Sequence, residues 1–339
     1  MLHNRHKATI YDVAARAGVA ISTVSRVLNN SSDVSEATRA KVNAAIAALQ
    51  FRPDRTAKNL AQKGVQAISV ALPSFTTPFH NEFLKGVRAA LRGSGVDLLL
   101  SDLGSTDPHA TLLRFLERGA VDGLVLVGMP VDDTLADELR ALRAPVVLVG
   151  YPHEGVDAFV WDDEGGAYAA TRHLIEQGRR RIGMIRAHSE SEFLSARIRG
   201  YRRALDEAGI AFDATRIHRG ETTKHAGFSE EAGGEALSAL LAAHPDTDAV
   251  FATADVLAIG AMAAAREAGR RIPEDLALVG YDDVKVSRYM GLSSVDQHIL
   301  DIGNTATLRL LDRVRGTVTG PAETVYIQPN LVVRASSGG

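Results

Sequence analysis

Cysteine is absent from the 339 residues. Its absence excludes a disulfide scaffold, a thiolate zinc site and a cysteine nucleophile, and fits a reducing compartment. No apolar run approaches the roughly 20 residues that span a bilayer. The first ten residues are polar, with Arg5 and Lys7, and no apolar signal-peptide core follows. The expectation is a cytoplasmic protein with no membrane partner. No Gly-rich phosphate fingerprint follows the first strand, which disfavours a nucleotide enzyme. No HExxH or other paired-His spacing accompanies Asp162-Asp163-Glu164, so that run reads as a loop cap with solvated acids rather than a metal cluster. No catalysis, metal or cofactor is expected.

What remains is an ordinary globular composition, 45% hydrophobic and 23% charged. Its length suits two or three domains. The net charge of -3 is unevenly spread. Residues 1–63 hold ten Lys/Arg against four Asp/Glu, a formal +6, which leaves -9 on the remainder. A basic head on an acidic body points to a polyanion partner for the head alone, with a solvated basic arm as the alternative.

Within the head, Ile10, Val13, Ala14 and Ala17 recur at helical spacing behind Thr9, a ready N-cap. Gly18 breaks that helix. A second helix follows with Val24, Val27 and Leu28 inward, and Ile21, Ser22, Ser25, Arg26 and Asn29 on its other face. A third starts near Ser35, where Thr38 in place of Glu leaves the capping box incomplete. Two helices around a Gly-containing turn, braced by a third, make a helix-turn-helix. Arg26 suits a guanine edge in the major groove, Ile21 a thymine methyl, and Ser22, Thr23, Ser25 and Asn29 suit phosphates or bases. Residues 51–64, FRPDRTAKNLAQKG, are basic and read as a short helix between Pro53 and Gly64, with Ala57 and Leu60 on one side. Such a helix needs a partner or DNA to form, and a paired one can wedge a leucine into the minor groove. A plain flexible linker fits equally.

From residue 67 short apolar runs alternate with amphipathic stretches: AISVALP, VDLLLSD, VDGLVLVG, APVVLVG, RIGMIRA, AVFAT and LALVGYDD. This alternation predicts doubly wound parallel sheets buried on both faces, divided near residue 163 into two lobes. Ligands of such sheets lie beyond the carboxyl ends of the strands. Those ends offer 74–79, Tyr151, Trp161 with Asp162 and Asp163, Asp255, and Asp282 with Asp283; Arg197 opens a helix. Carboxylates, an arginine and aromatic plates suit a sugar. Singly, an Asp after a strand more often caps a helix, and an aromatic more often belongs to the core.

TIYDVAARAGVAISTVSRVLNN and VSEATRAKVNAAIAALQFRPDRTAKNLA resemble the lactose-repressor/galactose-repressor family of bacterial transcription regulators. HLIEQGRRRIGMI, ARIRGYRRALDEAGI, ADVLAIGAM and IPEDLALVGYDD extend the resemblance over nearly the whole chain. The resemblance implies a homodimer on a palindromic operator. Ile21, Ser22 and Arg26 would read bases, and Leu60 beside Ala57 would open a central step. It implies a body like a periplasmic binding protein, with the effector against Phe79, Tyr151, Phe228, Arg197 and Asp282. The expected division is 1–52 head, 53–64 hinge helix, 65–163 with 295–322 N-terminal lobe, and 164–294 with 323–339 C-terminal lobe. The chain departs from the family at Ala20 (commonly Ser), Ala254 (Asn), Asp163 (Asn) and Arg179 (His).

The function so reached is a DNA-binding repressor of carbohydrate-use genes, controlled by a sugar between two lobes. DNA and effector would favour different lobe arrangements. A purine, or a phosphorylated protein co-repressor, is the alternative effector. An exported solute-binding protein is more remote, since it needs no basic head. The tail after Gln328 carries no leucine heptad, against a coiled-coil tetramer.

Overall fold

The computed structural model describes residues 8–28, 31, 33–51, 65–104, 107–117, 122–142 and 144–338. The chain divides into two compact units, 1–64 and 65–339. Asn29, Ala57, Leu60 and the expected hinge helix 53–64 lie outside the described residues.

The described residues of the first unit form three helices, α1 (Ile10–Ala17), α2 (Ile21–Leu28) and α3 (Glu36–Leu49). Thr9 caps α1 in a full capping box, its side chain accepting from the Asp12 N–H while the Asp12 carboxylate accepts from the Thr9 N–H at 2.7 Å. Gly18 ends α1 in the left-handed region at φ 64°. Ser35 caps α3 alone, through the Thr38 N–H. Val13, Ala14, Val24, Val27, Val42 and Ala45 are buried together, so the spacing read from the sequence is what closes this small core.

The described residues of the second unit form two six-stranded sheets. Its elements run β1 (Ala67–Leu72), α4 (Pro78–Ala90), β2 (Asp97–Asp102), α5 (Pro108–Glu117), β3 (Gly123–Val127), α6 (Asp133–Ala141), β4 (Val146–Val149) and β5 (Asp157–Trp161). Then come α7 (Asp163–Glu176), β6 (Ile182–Ile185), α8 (Glu192–Glu207), β7 (Ile217–His218), α9 (Glu230–Ala243), β8 (Ala249–Ala252), α10 (Asp255–Glu267) and β9 (Ala277–Asp282). The last are α11 (Lys285–Tyr289), β10 (Ser293–Asp296), α12 (Ile299–Arg315), β11 (Thr324–Ile327) and β12 (Asn330–Val332). The first sheet has the order β11-β5-β4-β3-β1-β2, the second β12-β10-β9-β8-β6-β7.

Three differences from the sequence reading have physical reasons. The sheets are parallel except at one edge, where β12 runs antiparallel to β10. Strand β2 is half open to solvent, with Leu99 and Leu100 exposed, because it has one neighbour and closes an edge. The later lobe boundaries also shift. Residues 295–296 belong to β10, which pairs with β9 in the second sheet. Strand β11 pairs with β5 in the first, held by Arg309, which reaches both Asp157 and Glu323. The chain therefore crosses between sheets at 162, 297–298 and 328–329, rather than at 294–295 and 322–323.

Candidate functional site

In the head, α2 turns Val24 and Val27 inward and exposes Ile21 (41%), Ser22 and Arg26; Thr23 and Ser25 are half-buried. An apolar, a hydroxyl and a guanidinium side chain thus share the open face of an eight-residue helix. Ala20 precedes α2 and gives its carbonyl to Thr23 and Val24, with no side-chain oxygen for the first-turn N–H groups.

In the body, the carboxyl ends of β1, β3, β4 and β9 open on one cavity of about 470 Å³, within the size range of small-molecule sites. Six of the seven effector residues proposed from the sequence line it: Phe79, Tyr151, Trp161, Arg197, Phe228 and Asp282. The rings meet edge to face, Phe79 with Trp161 at 5.9 Å and Tyr151 with Phe193 at 6.5 Å. Phe228 follows three left-handed residues, His225, Ala226 and Gly227. At Gly227 a Cβ would stand 2.7 Å from the His188 backbone, so glycine is required there.

The polar end is built around Arg197, buried to 5% exposure. Its Nε donates to one oxygen of Asp163 at 2.9 Å, Nη2 lies in ion-pair contact with the same oxygen at 2.7 Å, and Nη1 donates to the Thr253 carbonyl. The guanidinium lies 3.7 Å from the centre of the Tyr281 ring. Burial pushes the Asp163 carboxyl upward and Arg197 pulls it back. Because a guanidinium stays charged, a neutral Asp163 would strand a buried cation, so the pair is ionic. Asp282 ends β9 at φ 119°, an unusual conformation for a side-chain-bearing residue. It accepts from Gln297 Nε2 at 2.7 Å, while the Trp161 indole N–H donates to the Gln297 carbonyl at 2.8 Å. Burial first, then the neighbouring Asp255 carboxyl, holds Asp282 well above the usual carboxylate range. At the opposite wall His80 Nδ1 is 2.6 Å from Thr77 Oγ1; burial, with His225 nearby, lowers its pKa to about 4, so its imidazole is neutral.

The seventh residue is a correction. Asp255 does not line the cavity. It is fully buried and accepts from the Val284 N–H at 2.9 Å and from the Ser287 and Ser294 hydroxyls at 2.6 Å each. Its carboxylate pins the β9–α11 turn and β10. The acid run at 162–164 also divides. Asp162 caps α7 through the Gly165 N–H at 2.8 Å, as a loop cap should. Asp163, expected to be solvated, is 7% exposed and holds Arg197. Sequence reasoning missed Phe193, Gln297, His80 and Asp102 in the lining. Phe193 was within reach, four residues ahead of Arg197 on α8 and hence on its face. Among the described residues no cluster of three or more His, Cys, Asp or Glu is arranged to hold a metal.

The sequence matches two family descriptions, "Bacterial regulatory proteins, lacI family" over residues 9–54 and "Periplasmic binding protein-like domain" over 171–337. It is 35% identical over 346 residues to the HTH-type transcriptional regulator CelR of Thermobifida fusca, covering 99% of this chain and 100% of that one. The chain belongs to the lacI family. Among solved structures it resembles a transcriptional regulator CelR–cellobiose complex, with TM-score 0.69 and 34% identity over 97% of this chain and 99% of that one. It also resembles the lac repressor dimer bound to operator and the anti-inducer ONPF, with TM-score 0.79 and 27% identity over 98% and 99%. As a lacI-family protein it is a DNA-binding transcriptional regulator, with a helix-turn-helix head and a two-lobed α/β body. No helix among the described residues is long and apolar enough to cross a membrane.

Two of the family departures have structural accounts. Arg179 donates to the Pro273 and Glu274 carbonyls at 2.6 and 3.2 Å, tying the end of α7 to the loop before β9. Ala254 lines the cavity and starts α10 without a side-chain cap, so this wall is apolar where an amide would be polar.

Proposed function

We propose that this lacI-family chain represses carbohydrate-use genes as a cytoplasmic homodimer, releasing or gripping a palindromic operator according to whether a sugar fills the body cavity. It carries out no catalysis. In the head, Ile21, Ser22 and Arg26 contact bases, with Thr23, Ser25 and Asn29 on phosphates or bases. The segment 53–64 is the hinge, with Ala57 and Leu60 entering the minor groove at the dyad. In the body, Phe79, Trp161, Tyr151 and Phe228 pack against the apolar faces of sugar rings, and Asp282, Gln297, Asp163 and Arg197 meet the hydroxyls.

One observation carries the effector reading: aromatic plates and a set of buried, mutually bonded polar side chains converge on a single cavity at the strand ends. The cellobiose complex of a 34% identical regulator supports a sugar of this class. Gel retardation of a twofold-symmetric fragment near the protein's own gene tests the reading, with panels of sugars and of nucleobases. The expected result is retardation at modest ionic strength that one or more sugars shift. Retardation shifted by a purine instead would replace the effector, and no retardation of any such fragment would end the proposal.

A further inference from the structure

The charge at the polar end of the cavity limits what the cavity accepts; the argument rests on its being the effector site. Among the described lining residues Arg197 is the only lysine or arginine, and Asp102, Asp163 and Asp282 are carboxylic acids. A guanidinium can offer an anionic ligand the side-on fork formed by Nε–H and one Nη–H or the end-on pair of Nη–H groups. Here Nε donates to one oxygen of Asp163 at 2.9 Å, Nη2 stands in ion-pair contact with the same oxygen at 2.7 Å, and Nη1 donates to the Thr253 carbonyl. Tyr281 covers one face of the group at 3.7 Å. Both partners are over nine-tenths buried, so solvent does not screen the cancellation. His80 adds no charge near neutral pH, its pKa lying at about 4. Apart from the His225 imidazole, which also lines the cavity, the wall therefore presents no free cationic side chain and up to two further carboxyl groups.

We infer that Asp163 sets effector selectivity by occupying the arginine fork, so that the effector carries no anionic group: hydroxyl-only sugars enter, and sugar acids and sugar phosphates of matching shape are refused. An anionic group that enters finds no free arginine or lysine to offset its desolvation, and where Asp102 or Asp282 is ionised a unit charge about 6 Å away, at an effective dielectric of about 20, costs about a hundredfold in affinity.

Titration calorimetry on the full chain with matched pairs tests this: cellobiose and cellobionate, glucose and glucose 6-phosphate, adenosine and adenosine monophosphate. In the wild type, the anionic member should bind about a hundredfold more weakly than its neutral partner. Asp163→Asn keeps the shape and frees the fork, so it should cut that gap to about tenfold or reverse it, and adding Arg197→Met should abolish the gain. An anionic member that binds the wild type as well as its partner overturns the inference, as does an unchanged preference in Asp163→Asn. The wild-type pairs decide alone should the variant not fold. If only the adenosine pair obeys the rule, the sugar reading falls while the charge inference stands. Where no pair binds, sulfate decides. Sulfate bound by Asp163→Asn and lost with Arg197→Met supports the inference; Arg197-dependent binding by the wild type overturns it.

Discussion

Replacing Asp255 by alanine separates a carboxylate that holds the fold from one that holds a ligand. Three donors converge on this buried group, the Val284 N–H at 2.9 Å and the Ser287 and Ser294 hydroxyls at 2.6 Å. Alanine strands the backbone N–H, which cannot turn away, at about 1–3 kcal/mol. The two hydroxyls can rotate to other acceptors and lose about 1 kcal/mol each, so the total is about 3–5 kcal/mol, a large share of a typical folding free energy. The penalty depends on pH. Burial raises the Asp255 pKa from 3.8 to about 7, so the native state holds its proton longer than the unfolded chain. A raised value contributes stability that is complete below pH 3.8 and is lost as pH rises through about 7. The alanine variant should therefore lose more relative to wild type at pH 5 than at pH 8. Urea midpoints followed by circular dichroism across that range measure the loss. Affinity for whichever sugar shifts the operator complex, measured well below the transition, should change by less than about tenfold, since the carboxylate does not reach the cavity. A stability change under about 1 kcal/mol joined to a hundredfold loss of affinity would refute the reasoning and return Asp255 to the ligand set.

Arg26→Ala should weaken operator binding by about 1–3 kcal/mol and relax preference at one base position, as read by competition among single-base operator variants; uniform weakening across variants would make Arg26 a phosphate contact. Thr9→Ala removes the capping box with Asp12 and should cost the head about 1 kcal/mol, visible as faster amide exchange in α1 with no change in the body. His80 is held neutral with a pKa of about 4, below its ordinary 6.5, so it contributes stability that is present above pH 6.5 and is lost as pH falls toward 4. The stability gap between wild type and His80→Gln should narrow over that interval, and a constant gap counts against a buried neutral imidazole. Arg197→Met leaves Asp163 buried without its cation, so the body should lose about 3–5 kcal/mol, read by thermal unfolding; a loss below about 1 kcal/mol would mean that the pair is solvated.

The head was legible because the period is unbroken within each helix, as at Ile10, Val13, Ala14 and Ala17, and Val13, Val24, Val27 and Val42 meet in one core. The central strands were legible for the same reason, as unbroken apolar runs that become buried on both faces. Strands β5, β7, β10, β11 and β12 escaped because they are two to five residues long and each contains a polar residue, and only pairing with a neighbouring strand makes them strands. Asp255 and Asp282 show where local pattern runs out. Both follow an apolar run, and nothing within a few residues distinguishes them. Asp282 reaches the cavity because its backbone turns to φ 119°, whereas Asp255 faces three donors supplied by β10, by α11 and by the turn before it. Gln297 has no pattern of its own, since it matters only where the chain crosses between sheets.

That crossing gives the cavity a physical route to the rest of the body. Trp161 ends β5 in the first sheet and donates to the Gln297 carbonyl, while the Gln297 side chain donates to Asp282 at the end of β9 in the second. The cavity-lining Asp282 carboxyl is thus tied to the first lobe through a residue that stands in a crossover. A sugar hydroxyl that takes the Asp282 oxygen competes with Gln297 Nε2 for the same lone pairs. A ring stacked on Trp161 presses on the indole whose N–H holds the other end of Gln297. Occupying the cavity therefore changes bonds that span both lobes, and it can bias their arrangement by as much as its affinities for the two arrangements differ. A coupling of about 1–3 kcal/mol, the usual size between sites in allosteric proteins, amounts to one or two such hydrogen bonds. The bonds at this crossover are of the number and strength that such a coupling requires.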